Sequence, residues 1–556
     1  MTSERTQPTT LYPELDEDAL KRYFEALTSG DTSRVAPARA VEIEEARAVA
    51  VPVRVKIPGA RGDELDGVLW KHLVGPRERP AVIMPSPWTS VGWLVYVAQA
   101  TRFAAAGYNV LAYSARGFGA SGGEVEVAGP LDVEDGVRAI DFLTDRIGAE
   151  PTKLGFLGDS YGSGISQLVA ALDERERVHA VAALSTWGDV GEAFYENSTR
   201  HTAAVATLLS AAGDARLSER TRRAFDDLLA DRNIDKTLEW AAERSPLTHV
   251  HALNHRRVPV FFAHAWHETL FPANQTLRMF QELTGPKRID LSIGDHSGPE
   301  MTGMLGLPNR IWEDAHRFFA HHLKGVDNGI DTEGQVVSQV MWSKTLETRP
   351  TWDAVTGSTE RLYLTGAAVN GDGWGGAETD GGLADKPGSG WSVRFQTGAD
   401  TPATVADAIV TAGYAEMAGN PKVYPVHDID RADAGVWASP PMAVTTKLRG
   451  IPRLHLAYTP SAEHSTLIAH LFDVSPDGSA HIVTHAPCTR LGGEPGQPVR
   501  AEIPLQATGY DVPAGHRLLL VVDARDPFYG DANQPRATID ITADEDDPSY
   551  LDIPLG

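Results

Sequence analysis

The chain has 556 residues, 42% hydrophobic and 22% charged, so it is long enough to bury a large core without disulfide bonds and to form several domains. Asp and Glu number 75 against 50 Lys and Arg, which gives a formal net charge of −25. This acidic balance argues against a nucleic acid or an anionic membrane surface as partner, because a positive surface is needed to bind their phosphates.

Residues 1–48 predict an N-terminal helical arm. Leu15, Leu20, Phe24 and Leu27 recur at helical spacing, with acidic residues between them. The first residues lack the basic region and apolar run of a secretory signal, and no apolar stretch reaches the roughly 18 residues of a membrane span. We therefore expect a cytoplasmic protein without a membrane partner.

Residues 49–186 alternate between strands and helices. After two strand patterns at 51–57 and 66–70, short apolar runs are each followed by a helical stretch. These runs lie at 81–84, 109–113, 153–157 and 178–184. Such alternation predicts the first part of an α/β core with a mostly parallel, doubly wound sheet.

Residues 187–248 interrupt this alternation with polar helical sequence and no strand candidate, which predicts a helical cap. The alternation resumes over 249–330 and predicts the second part of the core. From 331 to 556, short alternating runs separated by Gly, Pro, Asn and Asp predict an all-β domain of the jelly-roll type. Within it, the Gly- and Asp-rich segment 370–376 lacks the later glutamate of a calcium loop and is interpreted as a turn.

The motif Gly158-Asp-Ser160-Tyr-Gly162 carries the most chemical information. It follows an apolar run and precedes a helical segment, which is the context of a nucleophile elbow. The tight turn needs flanking residues without bulk, and glycine meets that need on both sides. A glycine-rich turn with a capping serine is the alternative. The motif predicts that Ser160 is a catalytic nucleophile.

A serine hydroxyl needs a base to remove its proton and an acid to orient that base. In α/β-hydrolases the three residues follow in the order serine, acid, histidine. Glu268 comes just after the apolar run 258–262, and His296 just after the run 288–292. Both therefore lie at the same edge of the sheet as Ser160. We predict a triad of Ser160, Glu268 and His296.

Other ionisable residues near these positions fit structural roles better. His264 belongs to a strand end and is interpreted as a packed residue, and His321 and His322 lie on an amphipathic helix. The side chain of Asp295 is expected to point away from the neighbouring imidazole. Asp159, before the nucleophile, either tunes the pocket or serves a local turn.

Acyl transfer also needs hydrogen-bond donors for the tetrahedral oxyanion. The backbone N–H of Tyr161 is one, because it follows the nucleophile at a helix start. The loop at 84–90 should supply the other. Trp88 in this loop has an indole N–H that can donate, and a pocket-lining aromatic is the alternative interpretation.

No cofactor or metal site is predicted. The segment 116–123 satisfies G-x-G-x-x-G, but no helix begins at it, so it is interpreted as a structural turn rather than a dinucleotide site. The single cysteine, Cys488, forms neither an intramolecular disulfide nor a zinc cluster.

Several segments spread over both halves of the chain carry a family resemblance. They are RGFGASGG at 116–123, GDSYG at 158–162, WHETLFP at 266–272, GDHSG at 294–298, RFFAHHLKG at 317–325, DVSPDG at 473–478 and VPAGHR at 512–517. From about residue 50 to its end, the chain resembles the cocaine esterase and X-Pro dipeptidyl-peptidase family of serine hydrolases. The resemblance implies an α/β-hydrolase core, a helical cap, a C-terminal jelly roll and hydrolysis of esters or amides through an acyl-enzyme without a metal.

Two positions depart from the family pattern. Glu268 stands where the family usually has Asp. Trp88 stands where cocaine esterase-like enzymes use a tyrosine hydroxyl in the oxyanion hole, so an N–H donor would replace an O–H donor.

We expect a hydrolase that cleaves a carboxylic ester of a small or medium acyl group. The same triad would serve acyl transfer or amide hydrolysis; in an aminopeptidase, Asp189, Glu192 and Glu196 are candidate partners of a substrate ammonium, or else solvated helix residues. Trp266 and His267 are further pocket candidates. A non-catalytic protein that binds through its jelly roll is the alternative of another class. The expected partner is a small-molecule ester or amide, and whether the chain forms a homo-oligomer stays open.

Overall fold

The computed structural model describes residues 8–366, 378–406 and 409–556. The segment 370–376, predicted to be a turn, lies outside these residues. The described strands form a ten-stranded sheet, a thirteen-stranded sheet and a two-stranded hairpin. No helix among the described residues is long and apolar enough to cross a lipid bilayer.

The first part of the chain holds strands β1 to β12. They are β1 (Ala50–Pro58), β2 (Glu64–His72), β3 (Ala81–Pro85), β4 (Asn109–Tyr113), β5 (Leu154–Asp159), β6 (Val178–Leu184), β7 (Tyr195–Glu196), β8 (Thr199–Arg200), β9 (Val260–Ala265), β10 (Lys287–Ser292), β11 (Val336–Gln339) and β12 (Leu346–Arg349).

The helices surround and connect these strands, apart from the last, which lies in the β domain. They are α1 (Glu17–Ser29), α2 (Pro37–Val49), α3 (Val97–Ala105), α4 (Pro130–Ile147), α5 (Tyr161–Leu172), α6 (Val190–Phe194), α7 (Thr202–Ala211), α8 (Glu219–Leu229), α9 (Ile234–Ala242), α10 (Val250–Arg256), α11 (Ala273–Glu282), α12 (Met301–Met304), α13 (Arg310–Lys324) and α14 (Ala412–Met417).

The first sheet has the order β1-β2-β4-β3-β5-β6-β9-β10-β11-β12. Strands β3 to β6 and β9 to β11 pair in parallel, whereas β1, β2 and β12 pair antiparallel at the two edges. Strands β3, β4, β5 and β9 are buried along their whole length because helices cover both faces of the sheet, which explains their continuous apolar runs. The predicted α/β-hydrolase core is confirmed.

The first sheet extends past residue 330, where the second part of the core was predicted to end. Ile289 on β10 pairs with Val336 on β11, and β12 returns antiparallel to β11. Both strands look like the short alternating strands of the following domain. Because the sheet a strand joins depends on its neighbours, its own sequence could not assign it to the first sheet.

The segment between β6 and β9 is mostly helical and includes α6 to α10. It also holds the hairpin of β7 and β8, in which Tyr195 pairs with Arg200 and Glu196 with Thr199. The sequence offered no strand here because two-residue strands are too short to show an alternating pattern.

The last part of the chain is an all-β domain, as predicted. Its strands are β13 (Ser358–Thr365), β14 (Gly381–Ala384), β15 (Ser392–Gln396), β16 (Ala434–Ala438), β17 (Thr446–Gly450), β18 (Arg453–Pro460), β19 (Ser465–Val474), β20 (Ala480–Arg490), β21 (Val499–Pro504), β22 (Thr508–Val512), β23 (Arg517–Asp523), β24 (Thr538–Thr542) and β25 (Tyr550–Leu555). They pair antiparallel except for β14 with β16. The domain packs on the start of helix α11, where the Asn274 amide donates to the Leu505 carbonyl at 2.9 Å.

Candidate active site

Ser160 occupies a sharp turn between β5 and α5. Its backbone angles, φ 52° and ψ −120°, lie in a region that non-glycine residues rarely adopt. A Cβ at position 162 would come within 2.1 Å of the Pro85 carbonyl oxygen, and one at 158 within 2.1 Å of the Gly162 backbone. Both glycines are therefore required by close backbone contacts, which fix the serine at the carboxyl edge of the sheet.

The structure brings the three predicted triad residues together. The Ser160 Oγ lies 2.7 Å from Nε2 of His296, and Nδ1 of His296 lies 3.0 and 3.1 Å from the two carboxylate oxygens of Glu268. All three side chains are buried. With a neutral imidazole, the serine hydroxyl donates to Nε2 and Nδ1–H donates to Glu268, an arrangement suited to proton removal from the serine.

The charge of Glu268 sets the protonation of the histidine. Burial alone would lower the pKa of His296, but the charge and hydrogen bond of Glu268, with smaller contributions from Asp159 and Asp295, raise it to about 9. In return, although burial opposes it, His296 holds the pKa of Glu268 below its ordinary value. The pair therefore favours an imidazolium beside a carboxylate, which is the charge state that forms when the serine loses its proton.

Asp295 supports the triad without contacting the imidazole. Its carboxylate accepts hydrogen bonds at 2.7 Å from the backbone N–H groups of both Thr269 and His296. Burial and the nearby charge of Glu268 raise its pKa to about 7. Asp295 thus connects the loop that carries Glu268 to the loop that carries His296, and Glu268 is the carboxylate that contacts the imidazole.

Trp88 lies beside Ser160, but its indole N–H is used elsewhere. This N–H donates to the Leu208 carbonyl on α7 at 3.1 Å, and the ring packs edge-on against Tyr161 at 5.5 Å. The pocket-lining interpretation of Trp88 therefore fits, and an oxyanion contact from the indole does not. The backbone N–H of Trp88 has no acceptor among the residues that the structure describes.

The backbone N–H of Tyr161 is the first of helix α5 and so has no intrahelical acceptor. The first turn of this helix packs directly on the end of β3 and on Ser86, since a Cβ at position 162 would lie 2.1 Å from the Pro85 carbonyl oxygen and 3.1 Å from that of Ser86. The backbone donors of Tyr161 and Trp88 thus belong to two segments in contact.

An apolar pocket adjoins Ser160. All the described residues that line it are uncharged, and most belong to the cap or to the loops around it. Besides Ser160, they are Trp88, Val127, Tyr161, Trp187, Val190, Phe194, Leu208 and Phe271. Phe271 also contacts the His296 ring, with centroids 5.2 Å apart. Except for Trp88 and Tyr161, sequence reasoning missed these residues, because apolar positions of a cap resemble ordinary core positions.

Two of the predicted pocket residues, Trp266 and His267, face other partners. The Trp266 indole donates to the Gln339 carbonyl at 2.7 Å. The His267 ring contacts the Glu416 carboxylate at 2.8 Å, and although burial opposes it, this charge raises the pKa of His267. These side chains therefore anchor the loop after β9 to its neighbours and do not line the pocket.

The acidic residues predicted at the start of the cap are also held by the protein. Asp189 caps helix α6 by accepting from the Glu192 backbone N–H at 3.1 Å. Glu192 pairs with Arg278 at 3.1 Å, and Glu196 lies 3.4 Å from His201. The helix cap and the Arg278 ion pair explain Asp189 and Glu192 without a substrate ammonium.

His264 and His321 also have local partners. His264 is buried and its Nε2 contacts the Phe271 carbonyl at 2.9 Å, so it supports the loop that holds the acid. His321 contacts the Val326 carbonyl at the end of α13.

In the segment 116–123, Arg116 pairs with Asp135 at 2.8 Å and Asp63 at 3.0 Å, which gives this loop a structural role. Among the described residues, no group of three or more His, Cys, Asp or Glu side chains is placed to hold a metal ion.

Glu300 is a buried acid close to the triad that the sequence did not indicate. Neither of its carboxyl oxygens has a hydrogen-bond partner on another described residue. Burial, with a smaller contribution from Asp159, raises its pKa to about 8, so the group is largely neutral in the folded protein at neutral pH.

We expect Glu300 to make the folded protein less stable as pH rises. Between about pH 4.5 and 8 the unfolded chain releases this proton while the folded chain keeps it, so stability falls by up to about 1.4 kcal/mol per pH unit. The Glu300→Gln variant should therefore lose less thermal stability than wild type between about pH 5 and 8. An exposed glutamate, Glu360, provides the Gln control, which should leave the wild-type slope unchanged. Equal slopes in all three proteins would contradict this assignment.

Comparison with solved structures shows the same fold. An aminopeptidase from a marine-sediment Thaumarchaeota archaeon superposes with a TM-score of 0.69 at 15% identity, covering 91% of this chain and 96% of that one. An α-amino acid ester hydrolase gives 0.68 at 16% identity, over 95% and 99%. A CocE/NonD family hydrolase from Staphylococcus aureus gives 0.66 at 13%, over 91% and 94%.

One curated relative matches over a limited segment. A polyketide transferase, claH of Penicillium crustosum, is 31% identical over 105 residues. The matched segment is 18% of this chain and spans only 34% of that relative's length.

Two family models together cover most of the chain. Residues 62–298 match the X-Pro dipeptidyl-peptidase S15 family, and residues 328–552 match the X-Pro dipeptidyl-peptidase C-terminal non-catalytic domain. Both models agree with the α/β-hydrolase core and the all-β domain seen in the structure. The chain belongs to the X-Pro dipeptidyl-peptidase (S15) family of hydrolases.

Proposed function

We propose that this hydrolase cleaves a carboxylic ester with a small or medium apolar acyl group, through an acyl-enzyme on Ser160. The observation that carries this proposal is the pocket beside Ser160, which is lined by uncharged, mostly aromatic and aliphatic side chains. Such a lining favours an apolar acyl chain by the hydrophobic effect. It offers no carboxylate to a substrate ammonium, since Asp189 and Glu192 are engaged by the helix cap and Arg278.

The proposed reaction proceeds in two steps. In the first, Ser160 Oγ attacks the ester carbonyl carbon while His296 Nε2 takes the hydroxyl proton, and the C–O bond to the leaving alcohol breaks as His296 returns that proton to it. In the second, a water molecule attacks the acyl-enzyme, again giving its proton to His296, and the carboxylic acid leaves as Ser160 is reprotonated. Glu268 keeps Nδ1 protonated and stabilises the imidazolium in both steps.

For the oxyanion, we propose the backbone N–H groups of Tyr161 and Trp88 as donors. The Tyr161 group is the N–H that follows the nucleophile, and the Trp88 group comes from the loop after β3, the source of the second donor in many α/β-hydrolases. This proposal replaces the side-chain donor that the family pattern suggested for position 88, since the indole is bonded to Leu208.

The Trp88→Phe variant tests this choice of donor. It removes the indole N–H but keeps an aromatic ring and the backbone amide, so we expect kcat for ester hydrolysis to change less than about 10-fold. Loss of a true oxyanion donor costs roughly 10²- to 10³-fold in kcat. A drop of that size in a variant with unchanged thermal stability would assign the indole to the oxyanion hole.

Matched p-nitrophenyl esters and p-nitroanilides with the same acyl groups test the substrate class. We expect hydrolysis of acetyl to hexanoyl esters, with kcat/KM well above that of the matched anilides. A higher kcat/KM on an aminoacyl anilide would reject the ester assignment in favour of an aminopeptidase. Adding an alcohol or amine acceptor tests acyl transfer, since transfer would yield a new ester or amide in place of acid.

A further inference from the structure

The N-terminal arm reaches the residue next to the nucleophile. Tyr12 precedes helix α1 and is buried, with 3% of its surface exposed. Its hydroxyl donates to Oδ2 of Asp159 at 2.8 Å, across 147 positions of sequence. The neighbouring Leu11 is fully buried. This arm precedes the part of the chain that either family model matches, which begins at residue 62.

The same carboxylate oxygen also holds the loop that carries the base. Ser297 Oγ donates to Oδ2 of Asp159 at 2.8 Å. Asp159 directly precedes Ser160, and Ser297 directly follows His296. One carboxylate oxygen therefore connects the residue before the nucleophile with the residue after the base, and Tyr12 is the second donor that fixes its position.

This connection links two strained backbone positions. Ser160 has φ 52° and Ser297 has φ 54°, and both values are costly for residues other than glycine. Strained positions persist only where surrounding contacts over-determine them. The other carboxylate oxygen of Asp159, Oδ1, is buried without a hydrogen-bond partner among the described residues, so the orientation of this side chain depends on the donors at Oδ2.

The arm also packs behind the loop that carries Trp88. Phe24 on α1 contacts Trp93 at a centroid distance of 4.9 Å, and Trp93 lies in the short helix Gly92–Tyr96. At the end of this helix, the Tyr96 hydroxyl accepts a hydrogen bond from the Asp159 backbone N–H at 2.9 Å. The arm thus supports Asp159 directly through Tyr12 and indirectly through Tyr96.

We propose that the N-terminal arm is part of the active-site framework, with Tyr12 as a positioning residue that holds the nucleophile and the base in register through Asp159 and Ser297. The inference rests on the proposed Ser160 nucleophile and His296 base. Tyr12 does not line the apolar pocket, so its effect falls on the rate of attack and not on binding of the acyl group.

The Tyr12→Phe variant tests the proposal against a matched control, Tyr23→Phe. Tyr23 belongs to the same arm, is also buried, and donates its hydroxyl to Glu42 at 3.1 Å, away from Asp159. Misplacement of reacting groups by about 1 Å costs roughly 10²-fold. We therefore expect Tyr12→Phe to lower kcat and the rate of fluorophosphonate labelling by roughly 10-fold or more, with KM unchanged. Tyr23→Phe should keep wild-type rates even if both variants lose similar thermal stability.

Ser297→Ala provides a second test that leaves the arm intact. It removes the other donor to Asp159 Oδ2, so its effect on kcat should be non-additive with that of Tyr12→Phe in the double variant. Equal labelling rates for Tyr12→Phe and Tyr23→Phe, or fully additive effects in the double variant, would overturn the positioning role. A folded wild-type protein that is not labelled at all would instead refute the proposed nucleophile.

Discussion

Replacing Ser160 with alanine should lower kcat for ester hydrolysis by roughly 10⁶-fold, since loss of the nucleophile in a serine hydrolase has an effect of that size. The variant lacks the oxygen that lies 2.7 Å from His296 Nε2 and cannot form the acyl-enzyme. The kcat of the variant is measured by steady-state hydrolysis of a p-nitrophenyl ester. Thermal unfolding shows whether the variant is folded.

Ser166→Ala is the matched control for this loss. Ser166 is buried on helix α5, which begins directly after Ser160. Its hydroxyl donates to the Gly162 carbonyl at 2.7 Å and does not contact His296. We expect this variant to keep most of the wild-type activity. Residual activity of the Ser160→Ala variant above one hundredth of wild type would mean that another residue performs the attack.

Replacing Glu268 with glutamine should lower kcat by roughly 10⁴-fold, the size of the effect of the equivalent change in a Ser-His-Asp triad. The amide can no longer stabilise the imidazolium and can present its NH₂ group to Nδ1, which favours the wrong tautomer. The charge of Glu268 is also what raises the pKa of His296 against the effect of burial.

The pH profile of the same variant gives a second, independent signature. His296 must be neutral to accept the serine proton, and its pKa is raised to about 9, so kcat/KM of wild type should rise with pH up to about this value. Without the carboxylate the pKa of His296 falls, so the acid limb of Glu268→Gln should move to lower pH. Glu268→Asp keeps the charge and should keep the acid limb at the wild-type pH. An identical limb in wild type and Glu268→Gln would show that Glu268 does not act on His296.

The meeting of Ser160, Glu268 and His296 could be predicted because it follows from local patterns and one topological rule. Ser160 lies between an apolar run and a helix, and Glu268 and His296 follow the ends of later apolar runs. Since parallel strands end at the same edge of a sheet, these residues were expected to meet, and the observed hydrogen-bond distances agree with that expectation.

The surroundings of the site could not be predicted because they depend on contacts between distant segments. The indole of Trp88 bonds to Leu208, 120 positions later, and Tyr12 bonds to Asp159, 147 positions later. Nothing in the local sequence of either partner indicates the other. For the same reason the sequence could not show that β11 and β12 join the first sheet, since strand pairing is a property of two strands and not of one.

The pocket residues that belong to the cap could not be predicted from the sequence either. Val190, Phe194 and Leu208 lie on short helices whose apolar residues look like those of any packed helix. Their position over Ser160 follows from how the cap folds back on the sheet. In contrast, Asp189 and Glu192 were candidate pocket residues because they are acidic and lie at the start of the cap, although both have structural partners.

Intact-protein mass spectrometry after rapid mixing with a p-nitrophenyl ester tests whether Ser160 forms an acyl-enzyme. We expect the wild-type protein to gain the mass of one acyl group during turnover, peptide mapping to place this group on Ser160, and the Ser160→Ala variant to gain no mass. Product formation by wild type without any covalent adduct under rapid quench, or an adduct on a residue other than Ser160, would contradict this expectation.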